Sequence, residues 1–101
     1  MLTQATVDGI TMKVYRSGNV VMICWSGVLT TAWVGDGTWH DFVSGLPRPA
    51  FGDTWKSCTV LAAKTRYDAR IPPEGFCTMI AREEIASGAP IRESLVYITA
   101  S

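Results

Sequence analysis

Turn-forming residues interrupt this chain about every 8–12 residues, a spacing that leaves room for short strands and almost none for helices. Among the interruptions are Ser17-Gly18-Asn19, Gly35-Asp36-Gly37, Gly45 with Pro47, Pro72-Pro73-Glu74-Gly75 and Ser87-Gly88-Ala89-Pro90. Between them β-branched and aromatic residues dominate. The longest helix-compatible stretch, Arg82-Glu83-Glu84-Ile85-Ala86, is too short to nucleate alone. The chain therefore reads as all-β.

The segments also give the faces. Ile10 to Arg16 alternates, with Ile10, Met12 and Val14 on one side, and Ser17-Gly18-Asn19 supplies positive-φ residues for a tight hairpin. The return strand, Val20 to Trp25, is apolar on both faces, so both should be covered. The core meets one face. A second sheet, a loop or another subunit meets the other. Residues 30–37 read as a loop and Trp39 to Val43 as a short strand. Pro47 to Asp53 cannot be a central strand, because its prolines remove ladder donors. Further strands are expected over Trp55 to Ala63, Tyr67 to Ile71, Phe76 to Ala81 and Ile91 to Ala100. The result is a small antiparallel sandwich of seven or eight strands spanning residues 10–101. Residues 1–9 fit the pattern poorly and are expected as a lead-in.

Composition narrows the function classes. Nine basic and nine acidic residues leave zero net charge, and charged residues are 18% of the chain, where about 25% is usual. Hydrophobic residues reach 48% and mean hydropathy is +0.17. Apolar surface buried between subunits accounts for that balance better than an isolated monomer does. Neutrality argues against nucleic acid, which requires a basic stripe. No apolar run approaches the ~20 residues of a membrane span, and Met1-Leu2-Thr3-Gln4 does not open a signal peptide. Cys24, Cys58 and Cys77 are odd in number and widely spaced, matching neither a zinc site nor a disulfide framework. Each lies in an apolar strand and is expected as a buried free thiol.

Catalysis has little to build on. The single histidine, His40, neighbours Asp41, but adjacent strand residues point to opposite faces. No nucleophile elbow, phosphate loop, dinucleotide fingerprint or calcium loop is present, and no cofactor or metal is expected. The tryptophans are more informative. Trp25 continues the doubly apolar strand, whereas Trp33, Trp39 and Trp55 lie near polar loop residues. An aromatic face beside carboxylates or amides is the chemistry a saccharide site needs, and Trp33, Asp36, Trp39, His40 and Asp53 supply it. Trp33, bordered by Thr30-Thr31 and Gly35-Asp36-Gly37, is expected to be exposed and to be the main anchor. Alternatively, Trp39 and Trp55 cap the ends of the sandwich.

Three landmarks occur in fixed order: Arg16-Ser17-Gly18-Asn19-Val20-Val21, then Gly45-Leu46-Pro47 with Phe51, then Ser94-Leu95-Val96-Tyr97-Ile98. As an ordered set, with Trp39 and Gly75 between them, they resemble the C-terminal head domains of bacteriophage and prophage tail-fibre or receptor-binding proteins. The resemblance spans residues 10–101. The corner departs from the family pattern: Pro49 and Ala50 precede Phe51, and no proline follows soon after. The resemblance implies a β-sandwich or jelly-roll-like head, homotrimeric, following a stalk at residues 1–9. It implies attachment to a host cell-surface saccharide without catalysis, contact with other tail or baseplate proteins, and a place at the virion's tail tip after assembly in the host cytoplasm. Two alternatives stay open: a carbohydrate-binding module of a cell-wall or polysaccharide enzyme, and a purely structural trimerisation domain.

Overall fold

The computed structural model describes residues 1–60 and 65–100. Eight strands form: β1 (Thr3–Val7), β2 (Ile10–Ser17), β3 (Val20–Val28), β4 (Trp39–Val43), β5 (Thr54–Thr59), β6 (Arg66–Ile71), β7 (Cys77–Ala81) and β8 (Pro90–Ile98). There is no helix among the described residues, and so none long and apolar enough to cross a membrane. The strands make two antiparallel four-stranded sheets, ordered β1-β2-β3-β8 and β4-β7-β6-β5. Alternation sends Ile10, Met12, Val14, Val21, Ile23, Trp25, Leu95 and Tyr97 inward from the first sheet. Phe42, Cys58, Tyr67, Ala69, Ile71, Cys77 and Met79 come inward from the second, and together they form one sandwich core. The order is not that of a full jelly roll, which would interleave two Greek keys. Here β1-β2-β3 run as a meander, and the β5–β6 hairpin stays in the sheet that holds β7.

Several expectations are corrected. Thr3–Val7, read as lead-in, is an edge strand paired with β2; its Thr-Gln-Ala-Thr-Val sequence buries nothing fully and so gives little apolar signal. At the β2–β3 turn only Gly18 has positive φ (59°), not Asn19, which matches a turn needing glycine at its first central position. The doubly apolar strand is covered on one face only. Val21, Ile23 and Trp25 are buried, while Val20 and Met22 are exposed and Cys24 is half-buried rather than buried. The expected continuation of β5 through residues 61–63 lies outside the described residues.

The three sequence landmarks meet at one end of the sandwich. Arg16 Nε donates to Gly18 O (2.9 Å), Tyr97 Oη to Pro47 O (2.8 Å) and Leu46 N to Gly75 O (2.8 Å). Thr99 N donates to Asn19 O, and Ala50 N to Ile98 O, each at 2.8 Å. The proline-rich corner is thereby laced onto the end of β8. Phe51, the next residue, is 87% exposed.

Candidate ligand site

The second sheet gives one face to the core and the other to solvent. Register assigns two adjacent rows to the outer face: Trp39, Ile80, Asp68, Ser57, and Asp41, Thr78, Arg70, Trp55. Trp39 and Trp55 start from the opposite edge strands β4 and β5, a lateral span of about 14 Å at ordinary strand spacing. Their rings nevertheless meet edge to face, with centroids 5.7 Å apart. They must lean inward across β7 and β6 to do so. That lean accounts for the burial of Ile80, Thr78 and Asp68 on a face turned away from the core. The two indoles themselves stay 38% and 46% exposed.

Charged groups fix this pair in place. Arg70 reaches Asp53 through Nε (3.1 Å to Oδ1) and Nη2 (2.9 Å to Oδ1, 3.1 Å to Oδ2). Its guanidinium carbon is 5.2 Å from the Trp55 ring centroid, within cation–π range. Arg82 Nε donates to Asp68 Oδ2 at 2.7 Å, compensating a carboxylate that the roof of indoles has taken from water. Beside the indoles lies a shallow recess of about 260 Å³ lined by Trp39, Asp41, Arg70, Phe76 and Thr78. Aromatic rings, a carboxylate and a guanidinium thus border one concavity, which can stack an apolar ring face while bonding its hydroxyls. A larger recess of about 540 Å³ lies over Cys24, Ser26, Arg92 and Ser94 on the first sheet. It exposes no aromatic ring for stacking, so the smaller recess is the better chemical candidate.

Of the five residues expected at a saccharide site, Trp39 and Asp53 come together here. Trp33 does not, and its expected exposure is corrected. Its backbone forms a two-way bridge with Ile85 (2.9 and 2.8 Å), which draws the loop inward. The indole is 1% exposed, donates from Nε1 to Asp8 Oδ2 (2.8 Å), and stacks on His40 at 4.2 Å and 9°. His40 therefore faces inward beneath Trp33, on the opposite side of β4 from Asp41. Its nearest carboxylate is Asp8, with Nδ1 to Oδ2 at 4.0 Å. Asp36 is exposed in the loop. Its carboxylate accepts from Thr38 N at 3.0 Å, and bonding to Thr38 holds its pKa below the usual value. Trp55, Asp41, Arg70 and Phe76 are the residues that sequence reasoning did not place at the site. Trp55 carried a visible signal as an aromatic after a polar corner; the others depend on which strands become neighbours.

Among the described residues no group of three His, Cys, Asp or Glu side chains is arranged to hold a metal ion. No family model matches the chain, and no curated protein matches it.

Proposed function

We propose that this chain is a non-catalytic receptor-binding head of a bacteriophage tail, which attaches the virion to a saccharide on the host surface. The ligand platform is the Trp39–Trp55 pair. The observation that carries the reading is this exposed pair, held by Arg70 and Asp53 beside a recess with a free carboxylate face at Asp41. Folding leaves both indoles partly in water, where stacking on a pyranose would cover them. The ordered landmarks of the sequence supply the phage setting: a homotrimer at the tail tip, assembled in the host cytoplasm, beside other tail or baseplate proteins.

Adsorption of the wild-type chain to whole cells of candidate hosts, compared with Trp39→Ala and Trp55→Ala, tests the reading. Truncating a hot-spot tryptophan costs at least ~2 kcal/mol, about thirtyfold in affinity. Both substitutions sit on an exposed face, so thermal stability serves as the control. Unchanged adsorption in the double variant would sink the proposal.

A second reading, a purely structural association domain, is favoured by a different observation. The outer face of the first sheet exposes Tyr15, Val20, Met22, Val96 and Ile98 together. Such a domain would associate yet bind no cells. A carbohydrate-binding module attached to an enzyme would instead bind as a monomer.

A further inference from the structure

We infer that the saccharide taken by the Trp39–Trp55 platform is uncharged, a neutral hexose or N-acetylhexosamine, and that Asp53 is the residue that sets this preference. The inference rests on the reading of the platform as a sugar site and narrows its ligand. Two charged side chains line the recess, Asp41 and Arg70. A lone arginine there would favour an acidic sugar, because a guanidinium matches a carboxylate with paired donors. Asp53 already occupies that position. It accepts three hydrogen bonds from Arg70, between 2.9 and 3.1 Å, on the Nε–Nη2 edge that a ligand carboxylate would use. The pair lies at the rim, with 29% and 42% of the two side chains exposed.

With Arg70 neutralised, Asp41 is the remaining charge of the lining. A uronic acid would have to place its carboxylate near Asp41 and displace Asp53 from Arg70. Repulsion from one like charge about 5 Å away weakens binding about fourfold even at the dielectric constant of water. A neutral sugar meets neither obstacle. Its hydroxyls donate to Asp41 and accept from Arg70 Nη1, which makes no hydrogen bond among the described residues. Its apolar face covers the exposed indole. The recess of about 260 Å³ suits a single sugar ring rather than a long chain.

The test uses the isotopically labelled full chain and follows the four indole N–H signals in titrations. The probes are glucose, galactose and N-acetylglucosamine, against glucuronate and galacturonate. The signals of buried Trp25 and Trp33 are internal references. The neutral sugars should shift the Trp39 and Trp55 signals, with the two uronates at least about fourfold weaker. In Asp53→Asn, which frees Arg70, that gap should close or reverse. Uronates that bind wild type as well as the neutral sugars, or a gap unchanged in Asp53→Asn, would overturn this inference and leave the platform standing. Trp39 and Trp55 signals that move with none of the five sugars would overturn the platform as well.

Discussion

Trp33 joins three parts of the molecule: its indole reaches the β1–β2 turn through Asp8 and strand β4 through His40, and its backbone bridges to Ile85. Its role is packing. Trp33→Ala should cost about 3–5 kcal/mol, the range for removing a buried aromatic. Trp33→Phe should cost less, because it keeps most of the packing and loses the bond to Asp8. Urea denaturation of the two variants checks the order; a Trp33→Ala midpoint equal to wild type would return the indole to the ligand candidates. The buried thiols and phenols give a second residue-scale expectation. Burial raises Cys58 and Cys77 from 9.0 to about 12, and Tyr97 from 10.0 to about 12. Their protonated forms are favoured in the fold, while the unfolded chain releases the same protons near pH 9–10. The stability they contribute is therefore complete below about pH 9 and lost progressively as pH rises towards 12. Urea midpoints should hold between pH 7 and 8.5 and decline above 9; a flat profile to pH 11 would contradict the burial of these groups.

At the scale of elements, two turn glycines with positive φ should respond differently to a methyl group. Gly18 (φ 59°) has nothing within 4 Å of an added Cβ, whereas at Gly75 (φ 79°) that atom would collide with the Leu46 carbonyl oxygen. Gly18→Ala should then cost only the strain of a positive-φ turn position, about 1–3 kcal/mol. Gly75→Ala should cost clearly more, since it must also push apart the corner that Leu46 bonds to Gly75. Equal losses in thermal denaturation would mean that the corner is softer than its contacts suggest. The same contrast separates what was legible in the sequence from what was not. The β2–β3 hairpin, β4, β6 and β7 were legible because turn chemistry and alternation are local. β1 was not, because Thr3–Val7 pairs along an edge without burying a large side chain. The burial of Trp33 depends on Ile85, 52 positions away, in a segment that also lacks alternation. The site was half legible: alternation places Trp39 with Asp41 and Trp55 with Ser57, but only the order β4-β7-β6-β5 lets the two indoles meet above Thr78 and Ile80.

For the whole molecule, the two outer faces of the sandwich differ in chemistry. One carries the indole platform. The other carries Tyr15, Val20, Met22, Val96 and Ile98 over adjacent strands, with Phe51 on the corner tied to Ile98. Six large apolar side chains are each more than a third exposed here, and exposed apolar surface of this kind marks an interaction site. Association of copies that leaves each platform uncovered would let several sites engage one cell surface at high effective concentration. Charge bears on the geometry. The outward positions of this sheet include Lys13 and Arg92 and no carboxylate. A two-fold pairing sets this face against its own like-charged copy, whereas a three-fold ring sets it against a different surface of the next copy. The expected species is accordingly the trimer that the family resemblance also implies. Sedimentation equilibrium at micromolar concentration should give three times the 11.0 kDa chain mass. Met22→Lys, which places a charge in the centre of the patch without touching the core, should shift the mass towards one chain while leaving the melting of β-structure cooperative. A wild-type monomer would remove the assembly argument and favour the module reading. A dimer would mean that the faces pair directly, with Lys13 and Arg92 turned aside from the contact.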